Sequence, residues 1–300
     1  MTSLPPTFII GTGRCGSTLV HEIVARHPAV GFVTNLDDLG IRQGNAQQLT
    51  LWRRLPAALS DKGRARLAPS EGYRVISRDV SPALVDPVAD PTAADLSPWL
   101  NERLHAFVDD RMRHLDAAEV FVHKFTGWPR ARLLDAAFPG ANFVHVVRDG
   151  RAVANSWLQM DWWRGHLGPT GWHFGPLPAA LDDAWAHVGR TQPTLAGVAW
   201  RLLTDTYEEC AAELGRRWLT VRYEDLVADP KAQITRVLDH IGLPWNDAFE
   251  SGLGRYAFSP ARLTAYRDEL SPAQITDIEK VIGDNLERYG YDRVSTPGDQ

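Results

Sequence analysis

The chain has 300 residues, of which 44% are hydrophobic, and a formal net charge of −5 at pH 7. This length and apolar content are sufficient for a large core, so we expect residues 1–300 to form a single α/β domain. The net negative charge argues against general nucleic-acid binding. The two cysteines, Cys15 and Cys210, are too few for a disulfide framework or a zinc site, which favours a reducing compartment.

The sequence contains no apolar run of the roughly 18 residues that a membrane-spanning helix requires. The first residues, MTSLPP, lack the charged and apolar regions of a signal peptide. We therefore expect a cytoplasmic protein without a membrane span.

Strand-like and helix-like segments alternate along the chain, which predicts a three-layer α/β domain with a central parallel sheet. The predicted strands are residues 8–10, 73–77, 120–125, 142–147 and 218–223. The predicted helices are residues 19–26, 45–67, 97–115, 130–138, 151–159, 179–189, 193–214, 230–241 and 271–289. We expect the strands near residues 8, 120, 142 and 219 to be adjacent and parallel.

The first predicted strand runs directly into a glycine-rich loop, GTGRCGST at residues 11–18. A strand, a tight loop and a helix in this order direct backbone N–H groups and a helix N-terminus towards an anion. Compared with the nucleotide triphosphatase loop, Gly11, Gly16 and Thr18 match, but Ser17 stands in the lysine position. Arg14 supplies a cation within the loop instead. The alternative is a simple tight turn with a solvated arginine.

Two further strand ends carry candidate ligand-binding side chains. Arg148 follows the apolar strand 142–147, and Ser156 lies eight residues later in the next helix, for which Asp149 is a predicted N-cap. Lys124 lies near the carboxyl end of the strand 120–125, the edge of an open α/β sheet at which ligands bind. The alternatives are a salt bridge between Arg148 and Asp149 and a solvent-exposed Lys124.

Three stretches together resemble the sulfotransferases that use 3′-phosphoadenosine 5′-phosphosulfate (PAPS). These are the loop at residues 11–18, VVRDGRAVANSW at 146–157, and VRYEDLVADPKAQITRVLDHIGLPW at 221–245. The sequence ERYGY at 287–291 is also similar to the end of their C-terminal helix. The order and spacing of these stretches cover most of the chain.

The resemblance implies a P-loop-like nucleotide-binding loop and a role for each matching residue. Arg14 would bridge the 5′-phosphate and the departing sulfuryl oxygen, as a metal does in phosphoryl transfer. Arg148 and Ser156 would bind the 3′-phosphate, and Tyr223 would contact the adenine. The residues implied in binding the 5′-phosphosulfate are Gly13, Arg14, Cys15, Gly16, Ser17 and Thr18.

The reaction that the resemblance implies is transfer of a sulfuryl group from PAPS to an acceptor, with release of 3′-phosphoadenosine 5′-phosphate (PAP). The acceptor would offer a hydroxyl or an amine and would be a small molecule or a carbohydrate. No metal is expected, because the donor has no γ-phosphate. The oligomeric state is left open by the sequence.

The general base is the least defined part of the expected site. One branch of the family uses a histidine two residues after a strand lysine; Lys124 matches that lysine, but Thr126 follows it. Another branch uses a glutamate about 21 residues after the loop cation, where this chain has Asn35. The neighbouring Asp37 and Asp38 are therefore our candidate bases, and the alternative is that both are solvated loop carboxylates.

The segment at about 160–180 is rich in tryptophan, glycine and proline and is too long for a simple connection. Its aromatic side chains, with Trp157 just before it, predict either a lid over the acceptor or a fixed hydrophobic cluster. The tryptophans concerned are Trp157, Trp162, Trp163 and Trp172.

Two other functions remain compatible with the sequence. A P-loop kinase acting on a small molecule would need a magnesium ligand at a strand end, for which Asp149 is the obvious candidate. A non-catalytic protein with a degenerate loop would bind a nucleotide without turning it over.

Overall fold

A parallel β-sheet lies at the centre of the computed structural model, which describes residues 4–40, 52, 68–113, 119–254 and 256–294. The strands are β1 (Thr7–Gly11), β2 (Val30–Gly31), β3 (Val120–Thr126), β4 (Asn142–Val147) and β5 (Trp218–Arg222). Their order in the sheet is β2-β3-β1-β4-β5, and every neighbouring pair is parallel. The predicted adjacency of the strands near residues 8, 120, 142 and 219 is confirmed.

The helices cover the sheet and connect its strands. They are α1 (Ser17–Val24), α2 (Asn35–Asp38), α3 (Tyr73–Asp79), α4 (Pro98–Met112), α5 (Ala131–Ala137), α6 (Gly150–Leu158), α7 (Ala179–His187), α8 (Gln192–Leu214), α9 (Tyr223–Ala228), α10 (Pro230–Ile241), α11 (Asp247–Leu253), α12 (Tyr266–Glu269) and α13 (Pro272–Arg288). Short 3-10 helices occur at Pro82–Leu84, Ala93–Asp95, Gly165–Gly171, Gly215–Arg217 and Pro260–Arg262. Within the described ranges, no helix is long and apolar enough to cross a bilayer.

Side-chain alternation along β1 divides the hydrophobic core into two layers. Ile9 packs in the cluster that includes the buried residues of α1 and α10. Phe8 and Ile10 pack on the opposite face, in the cluster that includes residues of α4, α5, α6, α8 and α13. Complete burial of such side chains stabilises the fold by about 1.5–3 kcal/mol each. The predicted α/β class, a parallel sheet between two helical layers, is confirmed.

The register of the central strands brings three chain segments to one edge of the sheet. β1 pairs with β3 from Thr7 opposite Val122 to Gly11 opposite Thr126. β1 also pairs with β4, so that their carboxyl ends point in the same direction. The glycine-rich loop, Thr126 and Arg148 therefore emerge at the same edge, where open α/β sheets bind ligands.

Capping signals locate several helix starts. The Ser97 side chain accepts a hydrogen bond from the Leu100 N–H at 3.2 Å, with Pro98 in the first turn of α4. The Asp149 carboxylate accepts one from the Arg151 N–H at 2.9 Å and caps α6, as predicted.

The predicted strand at residues 73–77 is wrong, because this segment forms α3. Gly72, with a φ of 61°, turns the chain into the helix. An Asp38 carboxylate oxygen then accepts hydrogen bonds from the N–H groups of Arg74 and Val75, at 2.8 and 3.1 Å. This long-range cap outweighs the local β preference of the segment. The predicted helix at 45–67 and the end of the one at 97–115 lie outside the described residues, apart from Trp52 and residues up to 113.

Candidate active site

A cavity of about 850 Å³ opens at the carboxyl edge of the sheet, within the size range of small-molecule sites. The loop after β1, the ends of β3 and β4, and α6 contribute to its lining. Predicted site residues in the lining are Gly13, Arg14, Gly16, Ser17, Thr18, Lys124, Arg148, Ser156 and Tyr223. Residues from four separate stretches of the sequence thus meet at one cavity.

The glycine-rich loop leaves the first turn of α1 open to the cavity. Gly16 is the N-cap, with a φ of 96°, and no side chain caps the helix. The first N–H groups of a helix have no intrahelical partner, so they remain available to an anion. A Cβ atom on Gly16 would overlap Cδ2 of Tyr223, which restricts this position to glycine. Cys15, within the same loop, is fully buried.

Arg14 and Arg148 lie side by side at the cavity. The Arg14 Nε atom donates to Ser156 Oγ at 2.9 Å, and Arg148 donates to the Arg14 carbonyl oxygen at 3.1 Å. Among the described residues, neither guanidinium has a carboxylate partner. The buried Arg148 Nε atom has no hydrogen-bond partner there either. Two arginines that line one cavity and keep unused donors are a suitable arrangement for a polyanion.

Asp149 pairs with Arg151 rather than with Arg148. A carboxylate oxygen of Asp149 lies 2.7 Å from an Arg151 guanidinium nitrogen, and both residues are buried. The alternative interpretation of Arg148 as a partner of Asp149 is therefore wrong. The same contact occupies the strand-end carboxylate that the kinase alternative needs for magnesium.

Tyr223 places an aromatic ring beside the glycine-rich loop. It is the first residue of α9, directly after β5. The Arg148 guanidinium carbon lies 5.2 Å from the centre of its ring, a cation–π distance. The ring is thus fixed between Gly16 and Arg148.

Lys124 is buried at the floor of the cavity and does not extend into solvent. Only 3% of its side chain is exposed. Its Nζ atom donates to Thr18 Oγ1 at 2.9 Å and to Thr126 Oγ1 at 3.3 Å, and it forms an ion pair with Glu71. Lys124 therefore connects the first turn of α1 to a carboxylate that sequence reasoning missed.

Glu71 is held by groups on both of its carboxylate oxygens. One oxygen accepts from Lys124 and the other from the Tyr73 hydroxyl. Burial raises the pKa of Glu71, but the charge of Lys124 and hydrogen bonds from Lys124, Tyr73 and Thr126 outweigh it, so the pKa lies below its ordinary value. No motif precedes Glu71, and its partner is 53 positions away, so the sequence contains no local signal for it.

The candidate bases Asp37 and Asp38 lie away from the described lining of the cavity. An Asp37 carboxylate oxygen accepts from the Thr34 N–H and hydroxyl, each at 2.8 Å, in a capping box at α2. Asp38 caps α3, as described above. Both carboxylates stabilise helix starts, which does not support their assignment as the base.

One of the four tryptophans of the predicted lid region faces the cavity. Trp162 is 43% exposed and lines it. The other three are almost completely buried; Trp157 stacks on Trp163 and on Phe174, with ring centres 5.4 and 5.5 Å apart. For these three side chains the structure favours the fixed cluster. The lining also includes five residues with apolar or aromatic side chains, which we call the apolar wall: Tyr73, Val85, Pro87, Trp162 and Phe174.

Comparison with known proteins identifies the family. The sequence profile of the sulfotransferase family matches residues 5–247. The chain therefore belongs to this family, and the enzyme class predicted from the sequence is confirmed.

Curated relatives are sulfotransferases. An omega-hydroxy-beta-dihydromenaquinone-9 sulfotransferase of Mycobacterium tuberculosis is 24% identical over 332 residues, covering 96% of this chain and 76% of that protein. The protein-tyrosine sulfotransferase A of Caenorhabditis elegans is 24% identical over 246 residues, covering 81% of this chain and 51% of that protein.

Solved structures share the fold at low sequence identity. The sulfotransferase domain of the Synechococcus PCC 7002 olefin synthase has a TM-score of 0.53 at 20% identity, covering 97% of this chain and 96% of that one. The sulfotransferase STF9 of Mycobacterium avium has a TM-score of 0.61 at 13% identity, covering 97% and 78%. These likenesses support the predicted P-loop-like architecture.

Proposed function

We propose that the protein transfers a sulfuryl group from PAPS to the hydroxyl of a small, largely apolar acceptor and releases PAP. The observation that carries the donor assignment is the pairing of Arg14 and Arg148 without carboxylates among the described residues. Two arginines that line the same cavity without carboxylate partners favour the binding of an anion there. Family membership supports sulfuryl rather than phosphoryl transfer.

The donor site is proposed along the line from the glycine-rich loop to Arg148. The N–H groups at the uncapped start of α1, with the Ser17 and Thr18 hydroxyls, would bind the 5′-phosphosulfate. Arg148 and Ser156 would bind the 3′-phosphate, for which the unpartnered Arg148 Nε is one available donor. The Tyr223 ring would pack against the adenine.

The catalytic cations in this proposal are Arg14 and Lys124. Arg14 would stabilise the negative charge that grows on the 5′-phosphate as the bond to sulfur breaks. Lys124, fixed by Thr18 at 2.9 Å, would place a second positive charge below the sulfuryl group. Such charges act more strongly in the transition state than in the ground state, which is the requirement for catalysis.

The apolar wall supports an acceptor with an apolar or aromatic body rather than a carbohydrate. Its five side chains present hydrocarbon and ring surface, which offers few partners for a row of sugar hydroxyls. The relatives named above act, by their names, on a hydroxylated dihydromenaquinone and on protein tyrosine. We therefore place the acceptor among alcohols and phenols.

Calorimetry tests the donor assignment directly. The parent protein should bind PAP without added metal and should bind ATP with magnesium much more weakly. Turnover of PAPS is then measured with simple phenols, long-chain alcohols and monosaccharides, and the first two groups should be preferred. Tighter binding of ATP with magnesium than of PAP would contradict the proposal and favour the kinase alternative.

A further inference from the structure

Three glutamates among the described residues line the cavity: Glu22, Glu71 and Glu269. Glu269 accepts hydrogen bonds from the side chains of Asn155 and Gln159, next to the proposed 3′-phosphate site. Glu22 lies one helical turn beyond Thr18 on α1. Glu71 contacts both Lys124 and the apolar wall, the latter through the Tyr73 hydroxyl.

These contacts put Glu71 at the junction of the two halves of the cavity. On one side, Lys124 joins it to Thr18 at the start of α1, where the phosphosulfate is proposed to bind. On the other side, the Tyr73 ring belongs to the apolar wall. An acceptor oxygen must reach sulfur at this junction, because the donor lies on one side of it and the acceptor body on the other.

Building on the proposed function, we propose that Glu71 is the general base that removes the proton from the acceptor hydroxyl. Lys124 and Tyr73 act as its positioning residues. A Glu71 oxygen already accepts a hydrogen bond from a phenolic hydroxyl, that of Tyr73. A bound alcohol or phenol makes the same kind of contact with that oxygen.

The proton and electron balance of the step is complete with the groups named. The acceptor oxygen forms a bond to sulfur while its proton passes to a Glu71 carboxylate oxygen. The bond between sulfur and the bridging oxygen breaks, and its electron pair stays on the 5′-phosphate of PAP beside Arg14. The proton then leaves Glu71 for solvent, which restores the carboxylate. No oxidant, reductant or metal takes part.

The charges around Glu71 keep it in the basic form. Lys124 faces it from β3 and Tyr73 from α3, and Arg130 and His123 also interact with its charge. Burial lowers the pKa of His123 to about 3, so this ring is neutral near pH 7. The pKa of Tyr73 is raised by burial and by the Glu71 charge, so its hydroxyl remains a donor. Glu71 is therefore ionised throughout the neutral range.

His173 is the competing candidate for the base. It lines the cavity, and its Nε2 atom lies 2.8 Å from the Trp162 carbonyl oxygen, which assigns the proton to Nε2 and leaves Nδ1 as an acceptor. His173 has no contact with Lys124 or Glu71 among those the structure describes. Variants of the two residues distinguish the two assignments.

The test compares Glu71→Gln, Glu71→Asp and His173→Gln, with Glu102→Gln, an exposed glutamate on α4, as the matched control. PAP affinity is measured first by calorimetry, and it should stay within about threefold of the parent in Glu71→Gln because Glu71 lies outside the donor site. Turnover of PAPS with an unsubstituted phenol should fall by at least about 100-fold, the usual loss for a missing general base. Glu71→Asp should recover part of the rate, and Glu102→Gln should match the parent.

Acceptor acidity provides a readout that a purely structural role would not change. An unsubstituted phenol, with a pKa of about 10, needs a base at pH 8. A nitrophenol is already largely ionised there, so the deficit of Glu71→Gln should shrink with it. The slow hydrolysis of PAPS, in which water is the acceptor, allows the rates of the parent and of Glu71→Gln to be compared without any organic acceptor.

Two outcomes would overturn the assignment of Glu71. One is phenol turnover or PAPS hydrolysis in Glu71→Gln within a few-fold of the parent. The other is a loss of rate in Glu71→Gln that is the same for the unsubstituted phenol and for the nitrophenol. Loss of activity in His173→Gln alone would transfer the role to His173. Failure of the parent to bind PAP would instead reject the proposed donor site, so the two failures are distinguishable.

Discussion

The Arg14 Nε atom lies 2.9 Å from the Ser156 Oγ atom, although 142 positions separate the two residues in sequence. The family resemblance gives them different tasks, Arg14 at the departing sulfuryl group and Ser156 at the 3′-phosphate. Their hydrogen bond joins the two ends of the proposed donor site. A change at either residue is therefore expected to affect the other.

Arg14→Ala should lower kcat by about 100-fold or more, as for the loss of a donor to a developing oxyanion. PAP affinity should fall less, because the charge that Arg14 stabilises grows mainly in the transition state. Arg14→Lys should keep part of the rate, since it keeps the positive charge. Steady-state kinetics without added metal and calorimetry with PAP give both quantities. Turnover of Arg14→Ala within a few-fold of the parent would remove Arg14 from the mechanism.

Arg148→Ala should weaken PAP binding by about 1.5–3 kcal/mol, the usual range for hydrogen bonds to a charged group. The matched control is Arg190→Ala, which removes a surface arginine that pairs with Asp182. The control should bind PAP as the parent does. Equal affinities of Arg148→Ala and the parent would refute the 3′-phosphate assignment.

Gly16→Ala should destabilise the loop in two ways that a control can separate. The left-handed conformation costs an alanine about 1–2 kcal/mol, and the new Cβ would also overlap the Tyr223 ring. Gly189 has a φ of 79° and no atom within 4 Å of the position that a Cβ would take, so Gly189→Ala carries only the first cost. Gly16→Ala should therefore lose more stability in denaturant melts and should also lose PAP affinity. Similar losses in the two variants would show that Tyr223 moves aside freely.

Trp162→Ala should raise KM for an apolar acceptor while leaving PAP affinity near that of the parent. The reason is that Trp162 is the exposed tryptophan of the apolar wall, whereas its neighbours are buried in the cluster. The control is Trp99→Ala, which removes an exposed tryptophan on α4, outside the cavity lining. Unchanged KM values for both phenols and alcohols would argue against the wall as the acceptor site.

His145→Phe should reduce the loss of stability in acid. Burial lowers the pKa of His145 to about 3, and both ring nitrogens lack partners among the described residues, so phenylalanine removes no hydrogen bond. An unfolded histidine, with a pKa of about 6.5, binds a proton between pH 6.5 and 3 while the folded one does not, so stability falls as the pH is lowered through this window.

One such histidine changes the free energy of unfolding by about 1.4 kcal/mol per pH unit, and His145→Phe should lose this contribution. His123 is similarly buried and keeps its own contribution, so His145→Phe should flatten the curve without abolishing the dependence. Urea melts between pH 4 and 7 measure this slope, with the exposed His187→Gln as the control. Parallel curves for the parent and His145→Phe would show that His145 does not contribute.

Local patterns were sufficient for β1, β3, β4 and β5 and for the glycine-rich turn after β1. The apolar runs of β1, β3 and β4 predict strands, and the glycines at 11, 13 and 16 predict the turn between β1 and α1. The same local reasoning mistook residues 73–77 for a strand, because the start of the helix there depends on the Asp38 carboxylate, 36 positions before Arg74. Glu71 was missed for a related reason, since its ion-pair partner Lys124 is 53 positions away in sequence.

The family's sequence spacing did not locate the carboxylate that lies at the cavity. The family pattern points to the region of Asn35, and the nearest carboxylates in sequence are Asp37 and Asp38. In the folded chain these two carboxylates cap helices, whereas a glutamate from the segment before α3 lies against Lys124. Position along the chain therefore did not identify which carboxylate reaches the cavity.

The buried Trp157 side chain has a consequence for attempts to change which acceptor the protein uses. Its indole packs on Trp163 and Phe174, and a Cβ on Gly13 would lie 3.9 Å from its Nε1 atom. The aromatic cluster under the apolar wall thus also supports the loop that is proposed to bind the donor. Grafting residues 160–178 from a relative to redirect the acceptor would also perturb nucleotide affinity. Directed evolution should therefore begin at Trp162, the exposed member of this group, and should monitor nucleotide affinity, because the centres of the Trp162 and Trp157 rings lie 6.0 Å apart.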